Sequence, residues 1–222
     1  MHGSGDSSVS GGVLSARLRE HGTTRAFRKG HALFSEGDVA DRVFLIERGW
    51  ITIRTSGLDG NEVIVGLRGP GEIVGELSAI DGEPRTATAV AIDDVEAVVT
   101  PARVLTSALE DDPSAGGELI RLLATRLRES DRHRIEYVML DTLSRVARRL
   151  LELAERFGEP TDYGLRVDLP LSQEELASLC GSSREQTVKA LRTLREVAGV
   201  TTGRKKVELH DVPALRRHAR LS

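Results

Sequence analysis

Residues 32 to about 100 alternate short apolar runs with glycines, and this pattern restricts the possible folds more than any other feature of the chain. The runs are VFLIE, WITIRT, EVIVGL and VEAVVT, and they are rich in β-branched residues. The glycines around them are Gly30, Gly37, Gly49, Gly60, Gly69, Gly71 and Gly82. Many short strands with turns about eight to twelve residues apart are typical of an antiparallel sandwich or barrel. We therefore predict an all-β domain in this part of the chain.

The sequence after Pro101 becomes rich in Leu, Ala, Arg and Glu, with no proline between Pro113 and Pro160. This composition predicts long helices. Six positions in it recur at alternating steps of three and four, the spacing of a two-stranded coiled coil. They are Ile120, Leu123, Leu127, Ser130, Arg134 and Tyr137. The stripe can also pack on the chain's own barrel, but its spacing and the length of the helix favour self-association.

A second amphipathic helix is predicted over residues 141–157, because six apolar residues share one of its faces. These residues are Leu143, Val146, Ala147, Leu150, Leu151 and Ala154. The following segment, GEPTDYGLR, is interpreted as a loop, and Val167 and Leu169 as part of a short strand.

Two short helices follow, joined by a turn that contains Gly181. Ser172 with Glu175 satisfies the capping-box pattern and predicts the start of the first helix. Two pairs compete to cap the second helix: Ser182 with Glu185, or Ser183 with Gln186. The predicted buried face of the second helix consists of Thr187, Ala190, Leu191 and Leu194. Short helices joined by such a turn are the helix-turn-helix pattern.

The outer face of this second helix is mainly charged: Arg184, Glu185, Val188, Lys189, Arg192 and Arg195. The segment VTTGRKKVEL predicts a hairpin whose tip is Gly203, Arg204, Lys205 and Lys206. Residues 142–222 contain 15 of the 31 Lys and Arg residues but only 11 of the 34 Asp and Glu residues. A charged face is usually just solvated, yet a cationic helix beside a cationic hairpin suits DNA, with the helix reaching base edges and the hairpin neutralising phosphates.

Several classes of function are excluded by what the sequence lacks. Cys180 is the single cysteine, which excludes an internal disulfide and metal sites built from several thiolates. Jelly-roll folds also host metal-dependent oxygenases, whose iron is held by two histidines and a carboxylate. His21, His31 and His133 show no paired spacing within the strands, so such an enzyme is disfavoured and we expect no metal site. No P-loop or nucleophile-elbow motif occurs, and we expect no enzymatic activity. Without a long apolar run or a charged leader, a cytoplasmic location with no membrane segment is expected, and residues 1–12 are interpreted as a disordered tail.

The segment GELSAIDGEPRTATAVA, residues 75–91, places Glu76 and Arg85 nine positions apart in what is interpreted as one short loop, with Thr86 after the arginine. A binding site for a cyclic phosphodiester needs such groups. Arg85 and Thr86 suit its phosphate, together with neighbouring backbone amides, and Glu76 suits a ribose hydroxyl. A surface ion pair across a hairpin explains the same spacing, so the residues alone leave both interpretations open.

The same segment closely resembles the phosphate-binding cassette of cyclic-nucleotide-binding domains. GSSREQTVKAL resembles the recognition helix of the Crp/Fnr family of bacterial transcription regulators, and KGHALFSEGDVADRVFLIERGWITI and GRKKVELHD are also similar to that family. The similarity extends over nearly everything after Gly12, in the order of the family. It implies an α+β fold: an N-terminal antiparallel β jelly-roll sensor domain at 13–112, a long dimerisation helix at 113–140 and a C-terminal winged helix-turn-helix at 141–222.

The resemblance also implies a set of effector contacts: Gly75, Glu76, Leu77, Arg85, Thr86, Ser130 and Asp131. Glu76 falls at the ribose and Arg85 at the phosphate. Ser130 falls on a helix position that reaches the base, and Asp131 stands where the family usually has a second small polar residue. Cyclic AMP is the favoured effector, while a related cyclic nucleotide, another anionic effector and a ligand-free constitutive form stay open.

The predicted DNA contacts, of which the resemblance carries over Arg184, Glu185 and Lys189, are Ser172, Gln173, Ser183, Arg184, Glu185, Val188, Lys189, Arg192, Arg204 and Lys205. Arg184 and Glu185 match the base-reading pair, which implies a palindromic site with half-sites resembling TGTGA. A homodimer through residues 113–140 and a contact with RNA polymerase, with residues 158–164 as the candidate segment, are also expected. Effector binding is expected to change the helix around residues 137–141 and so to set the two recognition helices about 34 Å apart.

Other sensors remain to be weighed against this regulator. Haem sensing is disfavoured because Cys180 lies in the helix-turn-helix and the barrel has no Cys/His pair near it. The helix-turn-helix and the lack of membrane segments argue against a cyclic-nucleotide module of a kinase or a channel.

Overall fold

The computed structural model describes residues 12–57, 62–168, 171–203 and 206–220. They form two compact units, one ending at Arg128 and the other starting at Glu129. The predicted tail lies outside the described residues except for Gly12, which precedes the first helix.

The first unit is an antiparallel jelly roll of two four-stranded sheets. Its strands are β1 (Thr23–Phe27), β2 (Ala32–Phe34), β3 (Arg42–Arg48), β4 (Ile51–Ser56), β5 (Glu62–Arg68), β6 (Ile73–Val74), β7 (Thr88–Ala91) and β8 (Val95–Pro101). One sheet has the order β1-β8-β3-β6 and the other β2-β7-β4-β5. The predicted all-β domain is therefore confirmed, and each of the four apolar runs lies in a strand, apart from Trp50 at the start of the second run.

Strand β3 explains why its run VFLIE is apolar without interruption. Its alternate residues point to opposite faces of the sheet. Val43 and Leu45 pack in a cluster with the helices, whereas Phe44 and Ile46 pack between the two sheets. A strand buried on both faces needs apolar residues at every position.

Four helices accompany these strands: α1 (Val13–His21), α2 (Glu76–Asp81), α3 (Ala102–Asp111) and α4 (Pro113–Met139). Leu14 and Leu18 of α1 are buried in the cluster that also holds Leu105 of α3 and Leu119 of α4. The interpretation of residues 75–91 as a single loop is wrong, because α2 lies within it. This helix is too short for its own periodicity to have indicated it.

Helix α4 is long, as predicted, and its proposed seam is largely uncovered in the single chain. Ile120 and Leu127 are 68% and 62% exposed. Ser130, Arg134 and Tyr137 are also exposed, whereas Leu123 is half-buried against the first core.

The second unit is a winged helix-turn-helix. It contains the end of α4 and then α5 (Thr142–Phe157), β9 (Gly158–Thr161), β10 (Gly164–Asp168), α6 (Gln173–Leu179), α7 (Arg184–Ala198), β11 (Val200–Gly203), β12 (Lys206–Leu209) and α8 (Val212–His218). The strands form one antiparallel sheet in the order β11-β12-β10-β9. The interpretation of GEPTDYGLR as a loop is wrong, because it contributes the β9–β10 hairpin. Pro160 and the polar residues around it lie on an edge strand, where proline is tolerated and apolar alternation is weak.

Side chains cap the helices of this unit. Asp141 accepts from the backbone N–H of Ser144 (2.8 Å) at the start of α5. Ser172 and Glu175 form the predicted capping box. Ser183, rather than Ser182, caps α7, accepting from Gln186 N at 3.2 Å. Within the described ranges, none of the helices has the length and hydrophobicity that a membrane crossing requires.

Candidate functional site

The first candidate site is built where β6 leads into α2. Gly75 lies between them with φ 81°, in the left-handed region that favours glycine. Its carbonyl accepts from Nη1 of Arg85 at 2.7 Å. A Cβ at position 75 would lie 2.7 Å from that same nitrogen. The glycine therefore leaves room for the arginine as well as for the backbone turn.

Arg85 is buried in spite of its charge, with 3% of the residue exposed. Its Nη2 donates to the carbonyl of Arg42, and the guanidinium stacks 4.5 Å from the ring centroid of Phe34. Burial lowers the pKa of Arg85, whereas three nearby carboxylates oppose this shift. Its buried Nε has no hydrogen-bond partner in the described part of the chain. The group is thus a held cation in which two carbonyls accept from only two of the five N–H donors.

Glu76 is equally buried and pairs with Arg126 of α4. Arg126 Nη1 donates to Glu76 Oε1, and its Nη2 donates to the carbonyl of Ile73 at 2.6 Å. Neither Glu76 nor Arg85 is at the surface, so the interpretation of the two as a surface ion pair is wrong. Sequence reasoning missed Arg126. Its one signal is that it precedes Ser130 by four residues, which places both on one side of a helix.

The other predicted effector residues lie at exposed positions. Leu77 is on α2, and Thr86 directly follows the buried Arg85. Ser130 and Asp131 are on the part of α4 that belongs to the second unit. There, Oδ1 of Asp131 is 3.5 Å from Nη1 of Arg134. Their role at an effector stays a prediction.

The second candidate site is the exposed face of the helix-turn-helix. Eight of the ten predicted DNA contacts are at exposed positions: Ser172, Gln173, Ser183, Arg184, Glu185, Val188, Lys189 and Arg192. The last five recur at helical spacing along α7, so they share one face. The opposite face is buried as predicted, with Thr187, Ala190, Leu191 and Leu194. Arg204 and Lys205 lie outside the described residues.

Cys180 lies at the end of α6 and is chemically protected. It is buried, and burial raises the pKa of its thiol to about 12. Because the thiolate is the reactive form, this cysteine is unsuited to redox or metal chemistry near neutral pH.

Two family models match the chain. The model of the cyclic nucleotide-binding domain matches residues 24–112. The model of the Crp-like helix-turn-helix domain matches residues 144–218. The first match includes Gly75, Glu76 and Arg85, and the second includes α6 and α7.

Known proteins are similar in sequence to this chain over most of its length. It is 38% identical over 194 residues to the CRP-like cAMP-activated global transcriptional regulator of Mycobacterium tuberculosis, 87% of each chain. It is 31% identical over 191 residues to the cyclic AMP receptor protein of Thermus thermophilus, 86% of this chain and 85% of the relative. The global nitrogen regulator of Synechocystis is 29% identical over 85% of each chain. In fold, FixK2 from Bradyrhizobium japonicum matches with a TM-score of 0.78 at 23% identity, covering 88% of this chain and 96% of that one.

Proposed function

The chain belongs to the Crp/Fnr family of transcription regulators, and we propose that it acts as a homodimer that binds a cyclic nucleotide, with cyclic AMP favoured. Its Crp-like helix-turn-helix makes it a DNA-binding regulator with a cyclic-nucleotide-binding domain. Occupancy of that domain would select the arrangement in which both recognition helices fit a palindromic DNA site.

The buried Arg85, whose guanidinium is only partly satisfied by two carbonyls, is the observation that carries this proposal. A buried charge is costly unless it is paired, and two carbonyl partners satisfy only part of a guanidinium. Phosphate oxygens would accept from its remaining donors, and Thr86, which is exposed and carries a hydroxyl, is next to it in sequence. Arg85 is therefore assigned to the phosphate of the effector.

Glu76 and Arg126 extend the proposal to the sugar and to the long helix. A ribose hydroxyl that donates to Glu76 would share the carboxylate with Arg126, whose partner it already is. Binding would thereby change the contacts of a residue on α4. By thermodynamic linkage, a matching DNA site must then tighten effector binding by the same factor that the effector tightens DNA binding.

The proposed partner along α4 is a second copy of the chain. The exposed apolar side chains of the seam have the spacing that two parallel helices bury against each other. RNA polymerase is a further proposed partner, through the β9–β10 hairpin, whose Tyr163 is 79% exposed. Transcription in vitro with Tyr163→Ala, at saturating DNA occupancy, tests that contact.

Calorimetric titration with cyclic AMP, cyclic GMP and cyclic dinucleotides, with and without palindromic DNA, tests the proposed effector. Arg85→Ala should abolish binding and leave the dimer intact, because it removes the cation that holds the phosphate. Arg28→Ala is the control, since it removes an exposed arginine of the same domain. Unchanged effector affinity in Arg85→Ala would rule out the assigned pocket.

A regulator that binds DNA without ligand is the second candidate. Glu76 already has a cationic partner in Arg126, and Asp131 adds a negative charge to the helix face assigned to the base. Specific DNA binding by ligand-free protein, unchanged on adding any of the titrated nucleotides, would favour this candidate over the first.

A further inference from the structure

Helix α5 carries three arginines that face the end of α4. Arg145, Arg148 and Arg149 are spaced i, i+3 and i+4, so they project from one side of the helix. None of them is an exposed residue. All their described partners lie in the second unit, which includes α4 from Glu129 onwards.

Arg145 joins the end of α4 to the turn of the helix-turn-helix. Its Nη1 donates to the carbonyl of Leu140 at 2.8 Å, just beyond α4. Its Nε donates to the carbonyl of Cys180 at 3.1 Å, and its Nη2 to that of Gly181 at 3.2 Å. Tyr137 stacks over the guanidinium, 5.1 Å from ring centroid to Cζ. The planar guanidinium of Arg145 therefore binds the end of α4 and the turn between α6 and α7 at the same time.

Tyr137 makes a second contact with the same turn. A Cβ on Gly181 would lie 3.1 Å from the Tyr137 ring, so the ring packs closely against this glycine. Gly181 also has φ 60°, a conformation that side chains disfavour. The last turn of α4 and the turn that leads into α7 are thus in direct contact as well as bridged by Arg145.

Arg148 adds a bridge from α4 to the C-terminal helix. Its Nη1 donates to Glu136 of α4 at 3.0 Å, and its Nε donates to the carbonyl of Ala219 after α8 at 2.8 Å. Arg148 and Arg145 reach different segments, so the end of α4 is held at two points.

Arg149 occupies a group of residues whose spacing suits a divalent cation. The ligand atoms of His133, Glu136 and Glu152 lie within 4.8 Å of one another. However, Arg149 Nη1 donates to Glu152 and to Nε2 of His133, at 2.6 Å from the latter. Arg148 holds Glu136 as described above. The ligand atoms thus already have cationic partners, and the cluster is an ion-pair network rather than a metal site.

We infer that Arg145 is a positioning residue which makes residues 133–140 and the helix-turn-helix move as one body. This inference rests on the proposed function, since it concerns how an effector signal reaches α7. A bend at residues 137–141, as the sequence suggested, would break the bonds of Arg145 to either Leu140 or Cys180. The movement caused by the effector instead passes through α4 before His133. Arg145, Arg148 and Arg149 then transmit it to α7.

Arg145→Lys tests this inference, because lysine keeps the charge but its single ammonium cannot hold three separated carbonyls in the geometry of a planar fork. We expect the amides of residues 180–184 to exchange with deuterium at least tenfold faster. The effector should also lose at least tenfold of its enhancement of specific DNA affinity. Effector affinity without DNA should be unchanged, which a general loss of folding would not allow. Arg156→Lys, at an exposed position of the same helix, is the matched control.

Each outcome of the experiment decides the inference. Wild-type exchange in Arg145→Lys would overturn it, and so would wild-type coupling when the wild type responds to the effector. If wild type shows no effector response, the proposed function fails, while the exchange comparison still decides the linkage. Should the variant not fold, the wild type is compared with and without palindromic DNA. Protection of residues 134–140 together with 180–184 then supports the inference, and protection of only one of the two segments overturns it.

Discussion

Gly75 and Gly82 frame α2 with nearly the same backbone conformation but different surroundings. Their φ values are 81° and 75°. A Cβ at Gly75 would meet Arg85, whereas one at Gly82 would meet nothing within 4 Å. Substitutions at these two glycines therefore distinguish the effect of backbone strain from the effect of interference with the proposed phosphate site.

We predict that Gly75→Ala and Gly82→Ala each destabilise the fold by about 1 kcal/mol, because alanine disfavours positive φ. Only Gly75→Ala should also weaken effector binding, since its methyl group displaces Arg85. Chemical denaturation gives the first quantity and calorimetry the second. Equal effector affinities in the two variants would contradict the role given to Gly75.

Asp141 should make the stability of the fold depend on pH in the acidic range. Hydrogen bonds from the backbone and side chain of Ser144 hold the pKa of Asp141 below its ordinary value. A depressed pKa stabilises the fold above the unfolded-state pKa of about 3.9, and this contribution is lost as the pH falls through the folded-state pKa. Asp141→Asn keeps an N-cap without a titrating group. Thermal unfolding midpoints of the variant should therefore fall less than those of wild type below about pH 4; parallel curves would exclude this contribution.

At the scale of elements, α7 is the part of the molecule to which we assign DNA specificity. Its inner face is buried against α5 and α6, and its outer face presents charged side chains at helical spacing. Ser183 fixes where the helix begins, so it also sets which residues lie in the first turn, where a recognition helix meets base edges.

Arg184→Ala should remove about 1 to 3 kcal/mol of preference for specific over random DNA, if the arginine contacts a guanine in bidentate fashion. Arg195→Ala removes the same charge from the last turn of α7 and should leave that preference intact. Fluorescence anisotropy at fixed salt, with matched and scrambled duplexes, measures both variants. Retained specificity in Arg184→Ala would show that the recognition face is misassigned.

At the scale of the whole molecule, regulation by a palindromic site requires two copies of α7. The exposed seam of α4 is the surface that we propose for pairing. A charge placed in it should be costly, because the apolar contacts of a two-stranded seam would have to bury that charge.

We predict that Leu127→Glu makes the protein monomeric at micromolar concentration and lowers its affinity for the full palindrome, while each chain stays folded. Val39→Glu, at an exposed apolar position in the β2–β3 loop, is the control. Sedimentation equilibrium measures the association and circular dichroism the fold. A dimeric Leu127→Glu would place the interface elsewhere.

Local patterns in the sequence determined strands β3, β4, β5 and β8, the long helix, the cap at Ser172 and the buried face of α7. These features depend on side-chain period and on hydrogen bonds within a few residues, which neighbouring positions specify almost alone. For the same reason, the segments that resemble a phosphate-binding cassette and a recognition helix are each contiguous in the sequence.

Only the tertiary structure decided that Glu76 pairs with Arg126, that Arg85 is buried against carbonyls of the chain, and that Arg145 joins α4 to the turn at Gly181. The short helix α2 and the β9–β10 hairpin also depended on it, the hairpin because β10 is completed by pairing with β12. Each of these features requires segments that are distant in sequence to approach one another, and residue spacing along the chain carries no record of which segments meet.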